Sequence, residues 1–131
     1  MNISASRDTA SVKTAVKSAD MTFAELLRAV RQVKCEESRT QNDGYCEVVV
    51  ATAGLAEVTD LLRRYFGEPF KPQGKKPSGE ASAYAAPYGG VYDGQTLYVR
   101  QDGSAAELAL LWPWGSGLSV TIKLARTLSA L

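Results

Sequence analysis

The sequence predicts an α+β domain, with two helices packed on one face of a mainly antiparallel sheet of about four strands, in the order α-β-α-β-β-β. Three observations carry this reading. A helical apolar stripe follows a capping signal at Thr22, and a second stripe runs from 54 to 66. Between them, Tyr45–Thr52 (YCEVVVAT) reads as a strand buried on both faces. The stretch from Thr96 to Ala125 then alternates apolar and polar residues around two glycine-containing turns. At 131 residues the chain is long enough for one domain with a core that needs no disulfide or metal.

Residues 1–20 are rich in Ser, Thr and Ala, with no strong hydrophobic period, and are expected to form a flexible arm. The single domain is expected over 21–131. Its first helix starts at a capping box, Thr22-Phe23-Ala24-Glu25, with Met21 and Leu26 placed as a hydrophobic staple. Phe23, Leu26, Leu27, Val30 and Val33 recur at helical spacing and form its apolar side. The polar stretch 34–44 reads either as a loop or as the first arm of a hairpin turning at Asn42-Asp43-Gly44. In the second helix Leu55, Val58, Leu61, Leu62, Tyr65 and Phe66 share a side, and Gly67 with Pro69 ends it.

Residues 67–90 hold four of the five prolines and five of the eleven glycines, and are expected to form a long functional or disordered loop. In it Phe70, Lys71, Lys75, Lys76, Tyr84 and Tyr88 interleave cations with aromatics, a pattern that can hold single-stranded nucleic acid. Gly74-Lys75 lacks the spacing of a phosphate-binding loop.

The last three strands are expected as a meander. A two-residue turn at Asp102-Gly103 sets Leu97 opposite Leu108, and a three-residue turn at Gly115–Gly117 sets Trp112 opposite Val120. On that register Leu97, Val99, Leu108, Leu110, Trp112, Val120, Ile122 and Leu124 form one inner face. Glu107 falls on the outer face, with Tyr98, Arg100, Leu111, Thr121 and Lys123. Trp114 sits at the turn, where it either caps the core or meets a partner. The tail after Ala125 is read as helical or frayed.

Function is bounded mostly by exclusion. The chain has no histidine, so Ser-His-Asp and Cys-His nucleophilic catalysis and histidine-ligated zinc are out. Its 15 basic and 14 acidic residues give a net charge of +1 without a basic region, unlike most duplex-binding domains. Cys35 and Cys46 match neither a redox motif nor a zinc site. They would face each other only if the hairpin turned between Thr40 and Gln41. The expected protein is therefore a small soluble, cytoplasmic, non-catalytic binding or protein-interaction domain, with a protein partner or a second copy of itself and no membrane association. It calls for no cofactor and no metal. The candidate surface is the outer face of Tyr98, Arg100, Leu111, Thr121 and Lys123 with Trp114. Nucleic-acid binding through the 67–90 loop is the first alternative, and a histidine-independent enzyme the second.

Overall fold

The computed structural model describes residues 21–33, 37–42 and 44–128. The expected arm at 1–20 and Cys35 lie outside the described residues. Helix α1 spans Phe23–Gln32, and its capping box is complete. The Thr22 hydroxyl accepts from the Glu25 N–H at 3.1 Å, and the Glu25 carboxylate accepts from the Thr22 N–H at 2.8 Å. This pairing also holds the exposed Glu25 carboxyl below its ordinary range, the hydrogen bond from the Thr22 backbone being the main cause.

Strands β1 (Glu37–Asn42) and β2 (Tyr45–Ala51) form a hairpin in which Asn42 pairs with Tyr45. The turn at 43–44 therefore wins over the one between Thr40 and Gln41. Cys46 is consequently opposite Gln41. A short 3-10 turn, Thr52–Gly54, leads into α2 (Leu55–Phe66), which Gly67 closes through its N–H to the Arg63 carbonyl at 2.9 Å.

Strands β3 (Thr96–Asp102), β4 (Ala105–Pro113) and β5 (Ser119–Leu128) complete a five-stranded, wholly antiparallel sheet in the order β1-β2-β5-β4-β3. The 45–51 strand is thus interior, between its hairpin partner and β5. The chain through Leu128 is strand, where a helical or frayed tail was expected.

The β3–β4 turn keeps the expected parity. The register differs by two residues, however: Gly103, at φ +63, and Ser104 make the two-residue loop in place of Asp102-Gly103, so Leu97 faces Leu110 rather than Leu108, and Val99 faces Leu108. The β4–β5 turn overturns the expected register. Its connection is four residues long: the Trp114 N–H donates to the Ser119 carbonyl and the Gly117 N–H to the Trp114 carbonyl, both at 2.9 Å. Leu111 then pairs with Ile122 and Trp112 with Thr121, a one-residue shift that moves β5's apolar set to the other side. Leu118, expected opposite Trp114, is left 73% exposed at the tip.

As a result the sheet is covered on both sides. Beneath α1 and α2 lie Cys46, Val48, Val50, Tyr98, Ala109, Leu111, Val120, Ile122 and Leu124. Leu97, Leu108, Leu110 and Ala125 lie on the opposite face, under a short helix within the proline-rich segment. That helix, α3 (Gly79–Ala85), is capped by the Ser78 hydroxyl, which accepts from the Ala81 N–H at 3.1 Å; it buries Ala81 and Ala85. Covering three leucines that would otherwise face water contributes about 1.5–3 kcal/mol each. The expected loop at 67–90 is therefore the second wall of the core.

Two devices hold this wall. Lys71 forms an isolated antiparallel bridge to the edge residue Leu97, with both N–H···O contacts at 3.0 Å. Its side chain turns inward, and the ammonium donates to the carbonyls of Tyr92, Asp93 and Gln95 at 2.8, 2.7 and 2.6 Å. The second device is Gly89, at φ +104. A Cβ there would lie 2.6 Å from Trp112 Cη2, so only glycine lets the segment pass over the indole.

Candidate functional site

The corrected register explains a charged cleft that the sequence reading did not find. Glu107 lies within an otherwise apolar strand, and each neighbouring strand places an arginine directly opposite it, Arg100 on β3 and Arg126 on β5. Glu107 faces the helices and is 1% exposed. A carboxylate at that depth is costly unless it is paired and hydrogen-bonded. Both oxygens have donors: the Tyr65 hydroxyl from α2 donates to one and the Arg126 guanidinium to the other. Arg126 also donates to Asp102 at 3.1 Å, so one cation spans two carboxylates.

The surroundings set the protonation states. Burial pushes the Tyr65 phenol well above its ordinary range, and its hydrogen bond to Glu107 adds to the effect. Arg126 is held more firmly protonated, chiefly by its hydrogen bond to Asp102. Arg100 does not join the pairing. Its guanidinium carbon sits 4.4 Å from the centroid of the Tyr65 ring, a cation–π contact, and among the described residues no carboxylate forms an ion pair with it.

These groups line a cleft of about 420 Å³ at the Gly103 end of the sheet. Its other wall is the start of α1, from Met21 to Ala24. Each side chain is fixed by regular structure: Tyr65 by the last turn of α2, Arg100 and Asp102 by β3, Glu107 by β4 and Arg126 by β5. Chemically the arrangement suits binding better than turnover. The Tyr65 proton is committed to Glu107, and Glu107 is neutralised by Arg126. A second crease of about 400 Å³ runs between α1 and α2, past Gln32, Asp60 and Arg64. Among the described residues no group of three or more His, Cys, Asp or Glu could hold a metal ion, and no helix is long and apolar enough to cross a membrane.

The residues expected to form one outer surface are separated. Tyr98 and Leu111 are buried in the core under α1 and α2. Arg100 shares their side but reaches the cleft. Thr121 and Lys123 are on the opposite side, because the β5 parity is reversed. Thr121 is buried and accepts from Trp114 Nε1 at 2.9 Å. The Lys123 ammonium lies 3.6 Å from the centroid of the Trp112 ring and donates to the Tyr88 carbonyl at 2.9 Å. The loop candidates are divided as well. Lys75 and Lys76 are exposed, whereas Lys71 is buried with its donors committed. Tyr88 stacks on Tyr45 at 6.0 Å, and Phe70 meets Tyr84 edge-on at 5.8 Å. Trp114 is 42% exposed at the turn.

Glu107, Tyr65, Asp102 and Arg126 were missed as site residues. The available signal was the lone acid in the run Ala105-Ala106-Glu107-Leu108-Ala109-Leu110-Leu111, which an open outer face made unremarkable. Compared with protein-family models, with curated proteins and with solved structures, the chain gave no match in any of the three.

Proposed function

We propose that this chain is a non-catalytic binding domain whose ligand site is the cleft between the start of α1 and the Gly103 end of the sheet. The observation that carries the reading is Arg100, which faces the cleft on the ring of Tyr65 without a carboxylate partner among the described residues. Buried charges around it are matched, so this guanidinium is the group with bonding capacity left. The cleft volume falls within the range of small-molecule sites. A cytoplasmic location accompanies the proposal, on composition alone.

Amide NMR of the full chain during a small-molecule and peptide screen tests it. Shifts concentrated at Thr22–Ala24 and Arg100 are expected. Ligands that move only other regions would reject the cleft. A second reading, docking of a protein partner at the β4–β5 tip, rests on the exposure of Trp114 and Leu118 and would put the shifts there. Nucleic-acid binding would put them at Lys75 and Lys76 and make them salt-sensitive.

A further inference from the structure

We infer that the cleft recognises a single carboxylate through Arg100, with the apolar body of the ligand lying against Met21 and Ala24. The inference rests on the cleft being the binding site and names the chemistry of its ligand. A guanidinium over an aromatic face keeps its in-plane N–H donors at its edge, and that fork matches a carboxylate. The other cation in the cleft is already engaged, since Arg126 donates to both Glu107 and Asp102.

The walls decide which anion. The Asp102 side chain is 56% exposed, and the Glu107 carboxylate lines the cleft with it. A doubly charged phosphate group beside Arg100 would meet the carboxylates of both Asp102 and Glu107, whereas a monoanion meets less repulsion. Met21 is half-buried and Ala24 exposed on the facing wall, so the side away from Arg100 offers an apolar seat.

The experiment titrates the full chain with phenylacetate, phenylacetamide and phenyl phosphate, followed by amide NMR. Phenylacetate is expected to move Thr22–Ala24 and Arg100 at millimolar concentration. The neutral amide should bind roughly 10- to 100-fold more weakly, the worth of a charge-assisted pair. Arg100→Gln should abolish the preference for the acid over the amide, and Arg100→Lys should restore part of it. Added salt should weaken only the acid. If the amide binds in the cleft as tightly as the acid, or Arg100→Gln leaves the preference intact, the anion inference fails while the cleft remains a binding site. Tighter binding of phenyl phosphate overturns the single-carboxylate choice. If none of the three moves the cleft resonances, both the inference and the cleft reading fall. Should Arg100→Gln fail to fold, the acid–amide comparison in the unaltered protein and the Arg100→Lys variant still decide.

Discussion

Replacing Lys71 by Met would test whether the second wall of the core depends on one buried ammonium. The substitution keeps an unbranched stem of similar length and removes three charge-assisted hydrogen bonds. The three carbonyls do not suffer equally. Tyr92 O also accepts from the Gln95 N–H at 3.0 Å, and Asp93 O from the Gly74 N–H at 2.7 Å. Gln95 O has no other donor among the described residues, so it would be orphaned. A part-buried carbonyl left without its donor costs up to about 1–3 kcal/mol, and the two weakened ones add to it. Removing the ammonium returns part of its desolvation penalty. The balance is a loss of about 2 kcal/mol, or roughly 6–10 °C in Tm for a chain of this size. Urea unfolding with an unchanged m-value would read it directly, and faster amide exchange at Gly74 and Leu97 would locate it. The sign with pH follows from burial, which lowers the Lys71 pKa, with Asp93 opposing. Between that lowered value and the ordinary lysine range the unfolded chain binds more protons, so stability from this group rises with pH. The gap between the parent and Lys71→Met should therefore widen on the alkaline side. An unchanged midpoint, or a more stable variant, would refute the idea that these bonds outweigh the cost of burying the charge.

The other tests concern the cleft and the strap. Glu107→Ala should cost about 1–3 kcal/mol, because it leaves the Tyr65 hydroxyl without its acceptor while the part-exposed Arg126 keeps Asp102; chemical denaturation measures it. Tyr65→Phe should cost about 1.5–3 kcal/mol near neutral pH. The Tyr65 pKa is raised in the folded state, so its contribution is complete below about pH 10 and lost as pH rises further. The stability gap between parent and Tyr65→Phe should accordingly narrow in alkali, the reverse of the Lys71 trend, and urea midpoints at several pH values separate the two. Gly89→Ala should destabilise by at least about 1–3 kcal/mol, through the positive φ and the 2.6 Å approach to Trp112, and should shift the tryptophan fluorescence.

Local chemistry made much of this fold readable. The capping box, the two helical stripes and the strand at 45–51 all follow from residues close in sequence, and the structure places them where the spacing puts them. The β3–β4 pairing kept its parity but slid by two residues, because moving a two-residue turn from Asp102-Gly103 to Gly103-Ser104 leaves every side chain on the same face. The β4–β5 pairing failed for a physical reason. Parity reveals register only when one face of a strand is polar. In β4 every residue from Ala105 to Leu111 is buried, and an Ala-Leu alternation with one acid fits either register. A three-residue turn sets apolar residues of β4 opposite apolar residues of β5 from Trp114–Leu118 to Leu108–Leu124; the structure gives up that matching for two covered faces. The helix at 79–85 was hidden by its surroundings, since prolines and glycines flank a seven-residue Ala-rich core with one good cap.

The two shifts in register are also why the cleft was not expected: the β3–β4 shift brings Arg100 opposite Glu107 in place of Tyr98, and the β4–β5 shift brings Arg126 there in place of Ala125. With Glu107 on an open face, its neighbours were ordinary cross-strand partners and the arginines were solvent-facing. With β4 buried on both sides, the same acid must be neutralised where it lies, and the strands at either side supply Arg100 and Arg126 at the same rung. A single buried carboxylate can be closely paired with one of them. Arg126 takes that role and also holds Asp102, while Arg100 is displaced onto the Tyr65 ring. That Arg100 stands outside the ion pairs follows from the rung, where Arg126 serves both Glu107 and Asp102. Because both faces of β4 are covered, the ends of the sheet are where its side chains reach solvent. One end presents Trp114 and Leu118 at the four-residue turn, and the other presents Arg100, without a carboxylate partner among the described residues. Of the two, the charged end has its side chains fixed by four separate elements, the preorganisation that makes a polar contact selective.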